Sequence, residues 1–258
     1  MCEARYFAPV FAYAAPPKGE TQFAASGGDY RREVSRCGLC GHFVSVHGLS
    51  DDFYREQYID GTYAEDGLRT SFERITALPP ERSDNHWRAQ RVLEFAGARR
   101  GTVLDVGSGL CVFLHRLKAE GWRGTALDPD PRAVEHARSV VGVAAICGDY
   151  METDDLGQFD VVSFNKVLEH VRDPVAMLAR SAANLADGGF VYIEVPDGDA
   201  ALAEGPEREE FFIEHRHVFS PASLALLAAR AGFSPARIVR LREPSTKFTL
   251  CAFLLAVL

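Results

Sequence analysis

From about residue 101 the chain alternates short apolar runs with amphipathic segments. The runs are TVLDV (102–106), GTALD (124–128), VAAIC (143–147), FDVVSF (159–164) and FVYIEV (190–195). Each is short and rich in β-branched or aromatic residues, as buried strands are. The segments between them carry helix starts. Asp130-Pro131 and Asp173-Pro174 place an N-cap acceptor before a proline at the first helical position, where the missing N–H costs nothing, and Ser220-Pro221 opens a later helix that Gly232 closes. Strand and helix in alternation predict a parallel sheet covered on both faces.

Two more apolar runs end the chain, ARIVRLRE (236–243) and KFTLCAFLLAV (247–257), joined across Pro244-Ser245-Thr246. That link is too short for a parallel crossover, so the two must pair antiparallel. The expected fold class is therefore α/β: a doubly wound, mostly parallel seven-stranded sheet with an antiparallel terminal strand. Residues 85–100 predict a helix leading into it. Residues 1–84 show weak strand signals and frequent aromatics, and Pro79-Pro80 marks a boundary. They read as an N-terminal accessory segment, with residues 85–258 as the main domain.

Composition narrows the partners. The 258 residues carry 28 Lys+Arg against 36 Asp+Glu, a formal charge of −8, which opposes binding that neutralises many phosphates. No nucleic-acid partner is expected. No apolar run reaches the length of a membrane span, and Glu3 offsets Arg5 where a secretory leader would be positive, so no membrane partner and a cytoplasmic location are expected. The six cysteines show one close pair, Cys37-x-x-Cys40, too few for a disulfide framework.

The candidate chemistry begins at DVGSGLC, residues 105–111. In open α/β sheets ligands bind beyond the carboxyl ends of the strands. A dinucleotide fingerprint would need a third glycine where Val112 stands, and no phosphate-loop lysine follows. Asp105, immediately before the glycines, would repel a pyrophosphate. A cationic ligand fits it better.

These residues resemble the first motif of the class I S-adenosylmethionine-dependent methyltransferases, with Cys111 in place of a third glycine. The resemblance implies a Rossmann-like methyltransferase fold and S-adenosylmethionine as cofactor, with S-adenosylhomocysteine as product. It also implies a cofactor cradle of Asp105, Gly107, Ser108 and Gly109. It extends to LDPDP, which puts Asp128 and Pro129 at the ribose, and to CGDYME, which puts Asp149 at the adenine amino group with Tyr150 flanking the ring. In FNKVLEHVRDP it puts Asn165 near the methionine moiety. Coverage runs from about residue 85 to the C-terminus.

An oxygen or carbon acceptor also needs a proton removed, and histidine is the first candidate. Glu169-His170 follows the fourth strand, and FFIEHRHVFSP supplies His215 and His217. If that segment is extended, His215, His217 and Phe219 share one face and both imidazoles enter one space. Some relatives bind a divalent cation through Glu-x-x-Glu-His and a later histidine. Lys166 stands for the first acid here, so no catalytic metal is expected.

Cys37-x-x-Cys40 resembles the second half of a zinc ribbon found at the N-terminus of some sugar C-methyltransferases. The first pair is missing, leaving Cys2, His42 and His47 as further donors, and a knuckle without metal is expected. Phe53, Tyr54, Tyr58 and Tyr63 either pack on the main sheet or cover the acceptor. The resulting expectation is methyl transfer to a small polar molecule by a monomer or homodimer, with a sugar or nucleotide-linked sugar as first guess. The alternatives are a non-catalytic cofactor-binding module serving a protein partner and, opposed by Val112, a nicotinamide oxidoreductase.

Overall fold

The seven expected strands form, and they form one sheet. The computed structural model describes residues 1–3, 6–20, 30–48 and 67–257; Phe53, Tyr54, Tyr58 and Tyr63 lie outside the described residues. In chain order the strands are β1 (Phe7–Tyr13), β2 (Arg32–Cys37), β3 (Phe43–His47), β4 (Thr102–Val106), β5 (Arg123–Asp128), β6 (Ala144–Cys147), β7 (Phe159–Asn165), β8 (Leu185–Pro196), β9 (His217–Val218), β10 (Phe233–Arg242) and β11 (Phe248–Ala256). The large sheet has the order β10-β11-β8-β7-β4-β5-β6. β4 to β8 pair parallel, whereas β11 pairs antiparallel with both β8 and β10.

The caps act as the sequence predicts. Asp130 accepts a hydrogen bond from the Arg132 amide and Asp173 from that of Ala176, opening helices Pro131–His136 and Pro174–Arg180. Ser220 and Ser223 exchange bonds in a capping box at helix Pro221–Arg230, adding a reciprocal pair that satisfies two orphan amide donors. Apolar clusters fill both faces of the sheet, one including Leu104, Val162 and Ile193, the other Val103, Val161 and Tyr192. Alternate residues of one strand thus serve opposite layers.

The N-terminal part is more regular than its sequence suggests. β1, β2 and β3 make an antiparallel sheet, and its fourth strand, β9, comes from the far end of the chain, pairing Phe43 with Val218 and Val44 with His217. Four of the seven residues in RREVSRC are charged, which hides the strand until the partner that covers its apolar face is known. A third apolar cluster, with Val34, Phe43, Phe211 and Val218, joins the sheet to residues 211–218. A buried ion pair reinforces it: Arg32 meets Glu20 at 2.9 Å with both side chains inaccessible, Arg32 also donates to the Phe211 carbonyl, and Glu20 accepts from the Ile213 amide at 2.7 Å. Residues 211–218 are thereby clamped between the two sheets, beside the carboxyl ends of β4 and β7.

Candidate active site

A cleft of about 1170 Å³ opens at those strand ends. Sites for a single drug-sized ligand run to roughly 1,000 Å³, so this volume accommodates a nucleoside cofactor and a small second molecule. Asp105, Gly107, Ser108, Gly109, Asp128, Pro129, Asp149, Tyr150, Asn165, Glu169, His170 and His215 all line it. His217 does not.

At one end stands the glycine loop. Gly107 is left-handed, φ +67°, and a Cβ there would meet Val167 at 2.8 Å, so only glycine lets the loop turn this close to the segment after β7. Asp105 is buried, and its Oδ1 accepts hydrogen bonds from Ser163 Oγ at 2.6 Å and Asn165 Nδ2 at 2.8 Å. Burial pushes its carboxyl up to about 6, against the pull of those two uncharged donors. A cation arriving in the cleft would relieve that cost. Asp128 works differently: its Oδ2 accepts from the Gly109 amide at 2.8 Å and its Oδ1 from the Asp130 amide at 2.9 Å. It therefore braces the glycine loop itself, and a carboxylate still has lone pairs left to share with a hydroxyl.

Asp149 and Tyr150 line the cleft and each also has a structural partner. Asp149 Oδ1 accepts from the Met151 amide at 2.8 Å, organising the turn after β6. Tyr150 is 2% exposed, with its hydroxyl donating to Asn184 Oδ1 at 2.9 Å and its ring against Phe164. It is chiefly a core residue, because an aromatic ring beside a buried amide finds both apolar cover and a hydrogen bond there. Met151, not singled out in the sequence, is the more exposed neighbour lining the cleft.

The other end holds Glu169, His170 and His215, whose donor atoms lie within 4.8 Å of one another. Glu169 is fully buried, and among the described residues no other group gives either carboxylate oxygen a hydrogen bond. Burial raises it to about 7, opposed by the Lys166 ammonium. Glu214 is raised to about 7 by burial as well. Lys166 takes a left-handed φ of 60°, donates from Nζ to Thr249 Oγ1 at 2.8 Å, and is pushed down by burial. His170 Nδ1 lies 2.9 Å from the Glu214 carbonyl and His215 Nδ1 lies 2.9 Å from the Glu210 carbonyl. A carbonyl only accepts, so each Nδ1 carries the proton and each Nε2 presents a lone pair. Burial lowers His170 to about 4 and His215 well below the usual imidazole range, so both are neutral at physiological pH.

The expected face shared by His215 and His217 does not form. Only residues 217–218 of that segment are strand, and the chain turns before them. His217 Nδ1 lies 3.0 Å from His42 Nε2, under the accessory sheet, with its ring beside Phe219. The imidazole that meets His215 is His170 instead. The other accessory donors also separate: Cys2, Cys37 and Cys40 gather at the turn after β2, their sulfurs within 4.8 Å, and His42 points to His217.

The sequence reading missed a buried network behind the cleft. Glu194 on β8 is inaccessible and meets Arg88 at 2.7 Å and Arg91 at 2.6 Å, both on helix Asp84–Ala96. Arg91 reaches on to Glu243 at 2.9 Å. Burial works to raise the Glu194 carboxyl, and the two guanidiniums overcome it and hold it well below the carboxylate range. The signal was one acid inside the apolar run VYIEV, with arginines three apart on the helix that leads into the large sheet.

The sheet order with its antiparallel last strand, and the acid–glycine loop opening on a strand-end cleft, define a class I S-adenosylmethionine-dependent methyltransferase. The chain belongs to the methyltransferase domain family, whose profile matches residues 82–237. Among curated relatives it is 27% identical over 179 residues to a ubiquinone biosynthesis O-methyltransferase of Bordetella avium, covering 60% of this chain and 72% of that one. It is 36% identical over 156 residues to the enzyme of the same name from Xanthomonas euvesicatoria, covering 54% and 64%. A Burkholderia thailandensis 1,6-didemethyltoxoflavin-N1-methyltransferase, solved with 1,6-didemethyltoxoflavin and S-adenosylhomocysteine, superposes with a TM-score of 0.62 at 19% identity. That match covers 94% of this chain and 100% of that one. Magnesium protoporphyrin IX methyltransferase from Synechocystis gives 0.58 at 15% identity, covering 78% and 99%. Among the described residues no helix is long and apolar enough to cross a membrane.

Proposed function

We propose that the protein methylates a hydroxyl oxygen of a small polar molecule, with His215 as the base. The observation that carries this reading is one cleft running from the Asp105 loop to a neutral imidazole whose Nδ1 is held by a backbone carbonyl. S-adenosylmethionine, when bound, supplies an already activated methyl group. Asp105 suits its cationic end, since the buried carboxylate has only uncharged hydrogen-bonding partners. Gly107 and Gly109 admit the close approach of a ligand, Asp128 offers spare lone pairs for ribose hydroxyls, and Asp149 and Met151 border the adenine.

On the acceptor side, the new C–O bond forms as the C–S bond breaks, and the hydroxyl proton passes to His215 Nε2. Glu169, beside it, accepts a hydrogen bond from a neighbouring hydroxyl. His170 bounds the same space. A positioned pair in a dry cleft supplies most of the acceleration, ~7–11 kcal/mol, and the base adds ~10²–10⁴-fold. The ubiquinone-type relatives favour a phenolic or other ring hydroxyl over the sugar first guessed from the sequence. The buried ammonium of Lys166 opposes a divalent cation at Glu169, His170 and His215, so the reaction is read as metal-free.

Calorimetry with S-adenosylhomocysteine against NADH tests the cofactor assignment, and tight uptake of the former alone is expected. Release of S-adenosylhomocysteine with panels of catechols and nucleotide sugars then tests the acceptor. Transfer to the catechols at rates above the sugars is expected, and the reverse order overturns the ring-hydroxyl reading.

A further inference from the structure

The turn between β2 and β3 is built around two sulfurs. The Cys37 amide donates to the His42 carbonyl at 2.7 Å and the Gly41 amide to the Cys37 carbonyl at 3.0 Å. Gly41 is left-handed at φ +70°, where a side chain would also crowd Ser220 at 3.1 Å. The turn aims the amides of Leu39 and Cys40 at the Cys37 sulfur and that of His42 at the Cys40 sulfur. Backbone N–H groups converging on sulfur favour the anionic thiolate, the form that ligates metal, at Cys37, while at Cys40 burial outweighs the one amide.

A third sulfur is brought to this turn from 35 residues away. Cys2 Sγ lies 3.5 Å from Cys37 Sγ, well beyond the ~2.05 Å of a disulfide bond. The chain is tethered on both sides of Cys2: the Met1 carbonyl accepts from Arg230 at 2.9 Å, Glu3 pairs with Arg230 at 3.0 Å, and the Tyr6 carbonyl accepts from the Gly38 amide at 3.1 Å. Cys37 and Cys40 are buried and Cys2 is partly exposed. None of these groups belongs to the methyl-transfer cleft.

We propose that Cys2, Cys37 and Cys40 together bind a zinc ion as thiolates. Zinc prefers sulfur at tetrahedral corners, and three sulfurs within 4.8 Å of one another supply three of them. Water reaches the fourth corner from the side of Cys2. Binding releases the thiol protons to solvent and involves no redox change. The ion fastens the first residues to the accessory sheet, whose fourth strand, β9, begins two residues after His215. Its function is structural, holding that sheet against the acceptor end of the cleft.

The full chain, purified with reductant and reconstituted with Zn(II), should retain about one zinc per chain by elemental analysis. Replacing it with Co(II) should give thiolate-to-cobalt charge-transfer absorption in the near ultraviolet and tetrahedral bands in the visible. Cys2→Ser should lower the zinc affinity by ~10-fold or more, whereas Cys147→Ser, at an exposed cysteine remote from the cluster, should leave it unchanged. The Co(II) spectrum needs no variant, so a poorly folded Cys37→Ser protein would not obscure the answer. No retained zinc and no charge-transfer band in the reduced chain, or full affinity in the Cys2→Ser protein, overturns the proposal.

Discussion

The rings of His170 and His215 stand with centroids 5.0 Å apart, each with its Nδ1 against a backbone carbonyl. The carbonyls fix one tautomer for both, and burial keeps both neutral. Proton acceptance therefore falls to Nε2, on a ring that cannot easily rotate.

His215→Ala should lower kcat by ~10²–10⁴-fold while leaving S-adenosylhomocysteine affinity within a factor of about two. His217→Ala, whose ring faces His42 instead of the cleft, should keep most of its turnover and lower the melting temperature. Steady-state kinetics beside calorimetry and thermal unfolding separate the two. A larger turnover loss at His217 would contradict the assignment of the base.

Asp105→Asn removes a charge from a buried site and should weaken S-adenosylmethionine binding by ~10–100-fold. In the free protein burial holds this carboxyl at about 6, and a bound cation favours its ionised form. Affinity should therefore fall as pH drops through 6, and the Asn variant should show a flatter profile. Calorimetric titrations from pH 5 to 8 check both slopes.

Glu169 is raised from 4.5 to about 7. Its folded form favours the proton, so its contribution to stability is fully present below pH 4.5 and is lost as pH rises through 7. The loss is of the order of 3 kcal/mol at pH 8. Glu169→Gln should thus be more stable than the parent at pH 8 by up to about that amount, with the two converging near pH 4. If ionised Glu169 receives the acceptor hydroxyl, kcat/KM in the parent climbs between pH 6 and 8, and the Gln variant loses that climb. Denaturant melts and pH–rate profiles measure the two effects.

The Lys166 side chain interacts electrostatically with Glu169 and so opposes a cation beside it. Added Mg²⁺ should leave parent turnover unchanged, and Lys166→Glu should bind Mg²⁺ or Mn²⁺ beside Glu169, His170 and His215. Equilibrium dialysis of the variant against the parent reads this directly. Equal metal uptake by both would overturn the metal-free reading.

Arg88→Ala and Arg91→Ala should each destabilise the fold by about 1.5–3 kcal/mol, the worth of a hydrogen bond to a charged group, because Glu194 then keeps its charge in a buried place with one guanidinium instead of two. Glu194→Gln with Arg88→Met should recover part of the loss. Denaturant midpoints for the single and paired variants supply the comparison.

Much of the fold is written locally. A strand buried on both faces must be apolar throughout, a helix needs its first amides capped, and three residues between strands forbid a crossover. The seven strands of the large sheet, the caps at Asp130, Asp173 and Ser220, and the antiparallel ending follow from neighbours in the chain. So does the glycine loop, since a left-handed backbone at Gly107 and an acid beside it are sequence-local demands.

What joins residues distant in sequence was decided only by tertiary structure. Alternation along residues 214–219 predicts a common face for His215 and His217, but a strand of two residues recruited by β3 turns His217 toward His42 and leaves His170 as the neighbour of His215. Tyr150 settles into the core because Asn184, 34 positions later, offers its hydroxyl a partner. Glu194 reads as a blemish in a strand until two arginines from a helix neutralise it, and of the donors available to Cys37 and Cys40 it is Cys2 that the fold brings alongside, while His42 turns to His217. Electrostatic cost and hydrogen-bond satisfaction depend on what stands within a few ångströms, whereas hydrophobic periodicity and backbone preference are properties of consecutive residues. The sequence by itself therefore determined the scaffold and the cofactor loop, and packing decided which charged and nucleophilic groups face one another.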